Sequence, residues 1–596
     1  MSDFTTRPEI RGTFGAVTST HWIASTVGMS ILEKGGNAFD AAVATGLTLQ
    51  VVEPHLNGPG GDMPAIFHSV ATGNTEVLCA QGVAPAAATI EHYKTQGLTL
   101  IPGSGLLATV VPGAFDGWML MLRDHGSLSL REVMAPAISY ARNGHPILPR
   151  VANTIAGLAE YFAREWPSSA AVWTPGGKAP KPNALFKNPD LADTYQRLVD
   201  LAEAASGDRA QQIDAARQEW REGFVAEAIF DYLKDAHVMD VSDKKHSAVL
   251  APEDLKSWRA TYEAPLSYEY EGWTVHKTEA WSQGPVMLQG LAILKGFDLG
   301  AMDPFGAEFV HTVTEAMKLA YADREAYYGD PAHSEVPMDY LLSEDYNSER
   351  RKLITDQAST EQRPGRVPGF EHLADAYIER SARDFNVGPV EAQEPTMSHL
   401  TEKRGDTVHL DVIDRWGNMV AATPSGGWLQ SSPVIPSLGF PLNSRAQMFW
   451  LEEGLPTSLA PGRRPRTTLT PSLAEKDGTQ LVFGTPGGDQ QDQWQLIWFL
   501  RFVHWGMELQ QCMDAPLFHS MHFQGSFFPR EVRTAEMMVE PAFGDAVIGD
   551  LRDRGHNVVV ADPWTVGRLT AALREPDGML RAAATPRLMQ AYAVGR

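Results

Sequence analysis

The residue that could do the most distinctive chemistry in this sequence is Thr407, which opens the strand-like run Thr407-Val-His-Leu-Asp-Val-Ile-Asp414. A threonine at a free amino terminus carries a nucleophile and a base together, because an α-amino group titrates at about 8 and can accept the hydroxyl proton. Such a terminus forms only when the chain is cut before it. We therefore expect that the Asp406–Thr407 bond is cleaved and that Thr407 then acts as the nucleophile in acyl transfer.

The segment before Thr407 has the composition of a linker. Between about residues 356 and 406, prolines, charges and small polar residues replace the apolar periodicity of the preceding chain. Such a stretch is expected to be exposed and mobile, and a cut is tolerated where a mobile segment meets a core strand. The sequence thus predicts a linker that ends at the cleavage site.

A nucleophile of this kind needs N–H donors for the oxyanion of its tetrahedral intermediate. Gly487 and Gly488, in the run Gly484-Thr-Pro-Gly-Gly488, could present backbone N–H groups without a Cβ in the way. They precede a helix predicted from about 491 to 505, whose positive end would add to the field. The competing interpretation is an ordinary tight turn between strand and helix.

Other function classes find little support in the sequence. The net charge of -23, with no basic stripe, argues against nucleic acid and favours a small-molecule ligand. His519 and His522 have no third ligand nearby, so no metal is expected. The fingerprint-like run at 103–108 does not open a βαβ unit, so no cofactor is predicted. Neither a signal peptide nor a membrane span is evident, which predicts a cytoplasmic protein without a membrane partner.

The elements around these residues indicate a layered α/β protein. Asn37 with Asp40 predicts a capped helix, and residues 57–62 form a glycine-rich turn that leads into a strand. Residues 308–328 have the period of a long helix. Two hairpins are predicted at 407–423 and at 471–483. Strands that alternate with helices in this way favour layers that pack around a common core.

With these pieces together, the chain resembles the γ-glutamyltransferase family of N-terminal-nucleophile hydrolases over nearly its whole length. The resemblance is carried by stretches that include ILEKGGNAFDAAVATGLTLQVVEPHLNGPGGD, EAMKLAYADREAYYGDP, GDTVHLDVIDRWGNMVAAT, RRPRTTLTPSL and FGTPGGD. It implies a four-layer αββα sandwich in which residues 1–406 and 407–596 become a large and a small subunit of one intertwined domain. A dimer of two such pairs is a further possibility that the sequence leaves open.

The same resemblance assigns roles to individual residues. Thr407 resembles the catalytic threonine, and Ser425 stands where the family has a hydroxyl bonded to the nucleophile's amino group. Gly487 and Gly488 resemble the oxyanion-hole pair. Thr467 and Thr468 take the place of two serines that contact the substrate's carboxylate.

The departures from the family pattern lie at positions expected to bind the substrate. Gln81 replaces an arginine that clamps the α-carboxylate, and Gln447 with Met448 stands where an acidic partner of the α-ammonium is expected. Gly427 replaces an asparagine. Arg445 is a new positive side chain, which is either a carboxylate ligand or a surface arginine.

These departures predict an amidohydrolase or acyltransferase that cleaves a small amide other than glutathione. Two alternatives stay open. One is a genuine γ-glutamyltransferase or glutathione hydrolase with an altered glutamate pocket, and the other is a binding protein of the same fold that does not process itself.

Overall fold

The computed structural model describes residues 4–205, 207–383 and 407–596, and its strands form two seven-stranded sheets with every neighbouring pair antiparallel. The strands are β1 (Ile10–Gly12), β2 (Gly15–Ser19), β3 (Met63–Ser69), β4 (Asn74–Ala80), β5 (His145–Pro146), β6 (Leu185–Phe186), β7 (Val238–Met239), β8 (Lys245–His246), β9 (Thr261–Glu263), β10 (Leu266–Tyr270), β11 (Trp273–Lys277), β12 (Leu410–Asp414), β13 (Met419–Ala422), β14 (Ser472–Lys476), β15 (Thr479–Gly484), β16 (Phe518–Ser520), β17 (Glu536–Val539), β18 (Asn557–Val560), β19 (Thr570–Arg574), β20 (Leu580–Ala584) and β21 (Tyr592–Gly595). Sheet I has the order β21-β2-β12-β13-β3-β4-β9, and sheet II has the order β1-β20-β19-β15-β14-β11-β10.

Helices account for most of the remaining regular structure. They are α1 (Trp22–Glu33), α2 (Ala38–Val52), α3 (Ile90–Thr95), α4 (Ala114–His125), α5 (Leu130–Asn143), α6 (Pro149–Glu165), α7 (Pro167–Trp173), α8 (Pro189–Ala204), α9 (Arg209–Arg221), α10 (Phe224–Leu233), α11 (Pro252–Ser257), α12 (Pro285–Leu294), α13 (Ala307–Tyr327), α14 (Met338–Leu341), α15 (Glu344–Arg351), α16 (Glu371–Ser381), α17 (Gln491–Trp505), α18 (Leu509–Asp514) and α19 (Asp545–Asp553).

Side chains from the two faces of each sheet join different cores, as the alternation of a strand requires. Ile413 of β12 and Val482 of β15 belong to a cluster between the two sheets. Val412, next along β12, belongs instead to a cluster shared with α1, α2, α4 and α5. Phe483 of β15 packs in a third cluster with α12, α13 and α17. The protein is thus a mixed α/β fold in which each sheet carries helices on the face turned away from the other sheet.

The hairpin predicted after residue 407 is confirmed as β12 and β13, and its turn is fixed locally. The carboxylate of Asp414 accepts backbone N–H bonds from Trp416, Gly417 and Asn418 at 2.9–3.0 Å. Gly417 has φ +101°, which glycine adopts without a steric penalty. The predicted second hairpin is β14 and β15, and the predicted helices at 308–328 and 491–505 correspond to α13 and α17.

The predicted linker is wrong over part of its length. Residues 371–381 form α16, in which Leu373, Ala374 and Tyr377 are buried. Its last turn is held by Arg380, whose Nη2 donates to the carbonyl oxygen of Glu325 at 3.2 Å. The sequence did not predict this helix, because its few apolar residues lie among many charged residues and prolines. Residues 384–406, including Asp406, lie outside the described residues, so the subunit boundary stays a prediction.

Within the residues that the structure describes, none of the helices combines the length and the apolar character needed to cross a lipid bilayer.

Candidate active site

Thr407 lies at the start of the chain that enters β12, in the interior of the protein. It is fully buried and forms an antiparallel bridge with Ser425, which follows β13. The Thr407 Oγ1 hydroxyl donates to Ser425 Oγ at 3.2 Å. The neighbouring Val408 N–H donates to the carbonyl oxygen of Pro424 at 3.1 Å, which keeps the two chain segments in register. The two hydroxyl residues that the sequence singled out are therefore in contact.

The alternation of β12 places Thr407, His409 and Asp411 on one side of the strand, and this side faces sheet II. His409 Nε2 lies 2.9 Å from Asp411 Oδ1, and its Nδ1 lies 2.9 Å from Thr423 Oγ1. Asp411 Oδ2 accepts from Thr570 Oγ1 of β19 at 2.7 Å, so the carboxylate ties the two sheets together. The sequence interpretation missed this row, although its i, i+2, i+4 spacing was a usable signal.

The glycine-rich turn at 57–62 packs its backbone directly against the segment that carries Ser425. A Cβ on Gly61 would lie 2.1 Å from the Ser425 carbonyl oxygen, and one on Gly58 would lie 2.3 Å from that of Gly427. Gly427 itself has φ +63°, and a Cβ there would lie 2.8 Å from the Gly61 nitrogen. A side chain at residue 427 would require the glycine-rich turn to shift, so the expected asparagine would not fit this backbone without a rearrangement.

Asp62 ends this turn and forms a buried ion pair with Arg445. Arg445 Nε and Nη2 donate to the two carboxylate oxygens of Asp62 at 2.7 and 3.2 Å. Burial raises the pKa of Asp62, and Arg445 opposes that shift. The Arg445 guanidinium also lies 5.0 Å from the ring centre of Trp428. The alternative of a surface arginine is therefore wrong, since Arg445 is fully buried.

The Asp62–Arg445 pair lies next to the nucleophile because Asp62 and Ser425 exchange backbone hydrogen bonds at 2.8 and 3.0 Å. Sequence reasoning missed Asp62, whose partner is 383 residues away along the chain. Arg445 Nη1 is buried without a hydrogen-bond partner within the described ranges. The two N–H bonds of Nη1 could therefore donate to a substrate carboxylate.

Gln81 belongs to the same neighbourhood, but Gln447 has a different role. Burial raises the pKa of Asp62, and a side-chain hydrogen bond from Gln81 opposes that rise, as Arg445 does. Gln447 Nε2 donates to the carbonyl oxygens of Ser444 and Gly103 at 2.9 and 3.2 Å, and its Oε1 accepts from the Phe528 N–H at 3.1 Å. The predicted substrate contact of Gln447 is not supported, because both ends of its amide join backbone segments.

Gly487 and Gly488 lie between β15 and α17, as the sequence predicts. Gly487 has φ +138° and a Cβ there would lie 2.2 Å from the ring of Trp494, so only glycine fits. The Gly488 carbonyl oxygen accepts from Gln283 Nε2 at 3.1 Å, and Gln283 Oε1 accepts from Arg324 Nη1 at 2.7 Å. These contacts hold the loop through the carbonyl oxygen of Gly488.

Arg324 and Asp489 form a second support of this loop. Arg324 Nη1 donates to Asp489 Oδ1 at 2.6 Å, and the Ser526 N–H donates to Asp489 Oδ2 at 2.9 Å. Gln283, Arg324 and Asp489 are functional candidates that the sequence interpretation did not find, since they come from three distant parts of the chain. Each becomes recognisable only through the fold.

Thr467 and Thr468 lie next to the segment that supports this loop. The Thr467 N–H donates to the carbonyl oxygen of Trp281 at 2.9 Å, and Thr467 forms a parallel bridge with Ser282, next to Gln283. Thr468 Oγ1 is buried and has no hydrogen-bond partner in the described part of the chain. Buried hydroxyls are normally paired, so Thr468 fits a group that binds a ligand or water.

The described residues include one buried group with the spacing of metal ligands, formed by His311, Glu315 and His556. Its ligand atoms are engaged, because His311 Nδ1 lies 2.8 Å from His556 Nε2. Glu315 is paired with Lys318 at 2.6 Å and with Arg363 at 2.9 Å. Two cations beside the carboxylate disfavour a metal ion there. The group is best described as a structural polar network.

Fold and site together define the class of this protein: a mixed α/β protein with two antiparallel sheets and a buried threonine at the start of an inner strand. The family model described as Gamma-glutamyltranspeptidase matches residues 24–595. The chain therefore belongs to the γ-glutamyltranspeptidase family, and the resemblance drawn from its motifs is confirmed.

Individual relatives agree with this assignment. The Glutathione hydrolase-like YwrD proenzyme of Bacillus subtilis is 30% identical over 581 residues, which are 97% of each chain. The solved structure of LmbA2991HD is 52% identical, with 100% of both chains covered and a TM-score of 0.91. The crystal structure of a cephalosporin acylase from Bacillus halodurans is 27% identical, covers 100% of this chain and 98% of its own, and has a TM-score of 0.82.

Proposed function

We propose that this chain is a proenzyme that cuts itself between Asp406 and Thr407 and then cleaves a small amide through an acyl-enzyme on Thr407. The leaving amine departs first, and the acyl group on Thr407 is then transferred to water or to an acceptor amine. Thr407, Ser425, Gly487 and Gly488 carry the chemistry. The proposal includes the four-layer αββα arrangement of N-terminal-nucleophile hydrolases. The helices on the outer face of each sheet support this arrangement.

One observation carries the proposal: Thr407 Oγ1 lies 3.2 Å from Ser425 Oγ at a buried strand start that faces the second sheet. A threonine placed there only for its β-propensity would need no hydroxyl partner. The contact orients Oγ1. Membership of a family whose relatives include proenzymes supports the same conclusion.

The proposed cycle uses the free amine of Thr407 as its base. Thr407 Oγ1 attacks the carbonyl carbon of the amide, and its proton passes to the α-amine. The C–N bond breaks as the same proton moves to the leaving nitrogen, and an ester on Thr407 remains. Water or an amine then attacks the ester, and its proton returns to Thr407 Oγ1. Ser425 keeps the nucleophile oriented in each step.

The oxyanion of each tetrahedral intermediate needs fixed donors, which are worth about 3 kcal/mol apiece in comparable sites. We assign this role to the N–H groups of Gly487 and Gly488. The Gln490 N–H donates to the Gly487 carbonyl oxygen at 3.0 Å, which fixes the Gly487–Gly488 peptide plane and with it the direction of the Gly488 N–H. The nearby helix α17 directs its positive end toward the same loop.

Maturation is the same attack directed at the chain itself. Thr407 Oγ1 adds to the Asp406 carbonyl carbon, the peptide C–N bond breaks, and the acyl group moves to oxygen with release of the Thr407 amine. Water then hydrolyses the ester, which gives a carboxylate on Asp406 and restores the hydroxyl. The chemistry needs no group beyond the threonine, a proton acceptor and water.

The substrate is proposed to lack a γ-glutamyl group. The α-carboxylate clamp is replaced by Gln81, which cannot form a charge-assisted bidentate pair. The positive charge of Arg445 is already balanced by Asp62. Losing paired charges of this kind changes specificity by orders of magnitude. The cephalosporin acylase among the similar structures is an example of a different acyl specificity on a related chain.

Two alternatives remain. A genuine γ-glutamyltransferase or glutathione hydrolase with an altered pocket is favoured by the similarity to a glutathione hydrolase-like protein. A binding protein that never matures would have the same fold but would remain a single uncleaved chain. The two are separated from the main proposal by one set of measurements.

The test compares wild type with Thr407→Ala and Thr407→Ser, by intact mass and by release of product from a γ-glutamyl anilide, a glutaryl amide and short oxo-amides. Wild type is expected to contain two chains, the second of which begins at Thr407. Thr407→Ala is expected to stay one chain and to lose all turnover, while Thr407→Ser keeps partial processing. Activity on the γ-glutamyl anilide alone would favour the glutathione hydrolase, and an intact wild-type chain would favour the binding protein.

A further inference from the structure

The layer between the two sheets changes from apolar to polar toward the end of β12 that follows Thr407. Ile413 of β12 and Val482 of β15 belong to the apolar cluster between the sheets. Two and four residues before Ile413, on the same face of β12, lie Asp411 and His409, and both are fully buried. Apolar packing has no fixed direction, whereas hydrogen bonds hold atoms at defined distances. The sheets are therefore joined by directional contacts at the end where the proposed nucleophile lies.

Asp411 is the centre of these contacts. Its Oδ1 lies 2.9 Å from His409 Nε2, and its Oδ2 accepts from Thr18 Oγ1 at 2.8 Å and from Thr570 Oγ1 at 2.7 Å. Thr18 is the cross-strand neighbour of Asp411 within sheet I. Thr570 belongs to β19 of sheet II. One carboxylate oxygen thus holds a hydroxyl group from each sheet.

His409 lies between Asp411 and the end of β15. A carboxylate can only accept a hydrogen bond, so His409 Nε2 carries a proton, while Nδ1 lies 2.9 Å from Thr423 Oγ1. The ring covers Gly484, because a Cβ there would lie 2.2 Å from His409 Cε1. Gly484 ends β15, three residues before Gly487. The imidazole is therefore a spacer between the strand that follows the nucleophile and the strand that leads to the oxyanion loop.

The two contacts across the sheets reach the same place in sheet II. Gly484 and Thr570 are cross-strand neighbours in the register of β15 and β19. His409 packs on Gly484, and Asp411 accepts a hydrogen bond from Thr570. These four residues are here called the inter-sheet joint. A change of spacing at this joint moves the start of β12 relative to the end of β15.

The proposed reaction depends on this spacing because its two parts belong to different sheets. Thr407 precedes β12 of sheet I, and Gly487 and Gly488 follow β15 of sheet II. The hydroxyl of the first and the N–H groups of the others must reach the same carbonyl group. A misplacement of about 1 Å that arises away from the reacting atoms can lower a rate about 100-fold. A joint that fixes the spacing of the sheets is thus a requirement of the chemistry.

We propose that Asp411 and His409 are positioning residues that set the distance between the nucleophile and the oxyanion loop by joining the two sheets. They act through Thr407 and the loop rather than by contact with the substrate. The assignment rests on the amide-cleaving function proposed above and adds the residues that align its two parts. The transition state needs both parts at once, whereas the substrate binds before they act. Breaking the joint therefore lowers kcat and leaves KM unchanged.

The first experiment removes one of two hydrogen bonds to the same oxygen of Asp411. Thr570→Val loses the bond between the sheets, and Thr18→Val loses the bond within sheet I. We measure kcat and KM on the amide that wild type cleaves best, per mole of processed chain counted by intact mass, together with the melting temperature.

Thr570→Val is expected to lower kcat about tenfold with an unchanged KM, as for one lost hydrogen bond. Thr18→Val should lower the melting temperature by a similar amount and keep kcat within about twofold of wild type. The conservative variant Thr570→Ser restores the hydroxyl group and should recover most of kcat. A general loss of stability would affect both valine variants alike, so equal losses of kcat would overturn the proposal.

A second pair of variants keeps the proposal testable if Thr570→Val does not fold. Gly484→Ala places a methyl group where the His409 ring lies, and it is expected to lower kcat about 100-fold, because the ring and β15 must move apart. Gly549→Ala is the matched control, since nothing lies within 4 Å of a Cβ at this position of α19. Similar kcat values for the two alanine variants would contradict the role of the imidazole as a spacer.

Hydrogen exchange measured by mass spectrometry tests the joint without any turnover. Peptides that contain residues 484–490 are expected to exchange faster in Thr570→Val than in Thr18→Val or wild type. Equal exchange in the two valine variants would overturn the joint, whether or not wild type is active. Faster exchange in Thr570→Val, in a protein that cleaves no amide, would support the joint and refute the proposed function.

Discussion

At the scale of single residues, Asp62 shows how the site replaces one charge pattern with another. Its carboxylate forms a two-point ion pair with Arg445 in a fully buried setting, while its backbone holds Ser425. Such a pair contributes little net stability relative to apolar residues, but breaking it leaves one charge buried alone. The pair is therefore better understood as a device that fixes the position of the Ser425 segment.

We predict that Asp62→Asn lowers the free energy of unfolding by about 3 kcal/mol, because Arg445 then stays buried without a counter-charge. Urea unfolding of the mature protein measures this change. Asp193→Asn serves as the control, since Asp193 pairs with Arg142 at the surface and should cost less than about 1 kcal/mol. Equal effects of the two substitutions would contradict the role assigned to the buried pair.

At the scale of elements, the loop between β15 and α17 has its conformation set by glycine. Gly487 has φ +138° and its missing side chain leaves room for the Trp494 ring. The loop is held by Gln283 through the carbonyl side of Gly488. Its shape therefore depends on residues that do not react themselves.

We predict that Gly487→Ala reduces kcat at least about 100-fold, since the loop must shift and the oxyanion donors move with it. The loss would be measured by steady-state kinetics on the amide that wild type cleaves best in the panel described above. Gly506→Ala is the matched control: Gly506 has φ +60° at the end of α17, and nothing lies within 4 Å of a Cβ there. The control should lose about 1 kcal/mol of stability and keep its turnover. A similar kcat for the two variants would refute the loop assignment.

Elements governed by local rules were predictable from the sequence. The hairpin of β12 and β13 was predictable, because both the alternation of apolar and polar residues and the turn at Asp414 are local features of the sequence. The α16 helix was not predictable, because its small buried face is stabilised by distant contacts. One example is the hydrogen bond from Arg380 to the carbonyl oxygen of Glu325, which is 55 residues away. The same limit applies to the site: Thr407, Ser425 and the glycine pair had local signals. The Asp62–Arg445 pair and the contact of Gln283 with Gly488 are formed only by tertiary packing.

At the scale of the whole molecule, the chain before residue 384 and the chain from 407 onward are interleaved in both sheets. In sheet I, β12 and β13 lie between β2 and β3, with Leu410 opposite Ser19 and Val420 opposite Phe67. In sheet II, β14, β15, β19 and β20 are flanked by β1 on one side and by β11 and β10 on the other. Neither part can form its own sheets without leaving strand edges and apolar faces exposed.

We therefore predict that the two chains produced by a cut before Thr407 stay together in native buffer and separate only when the protein unfolds. The processed protein should elute from a size-exclusion column at the volume of uncut Thr407→Ala, and both should show one cooperative unfolding transition. Residues 407–596 expressed alone should not fold, because β12 would lose β2 and β13 would lose β3. Two folded chains that separate without denaturant would contradict the interleaved sheets as the source of the association.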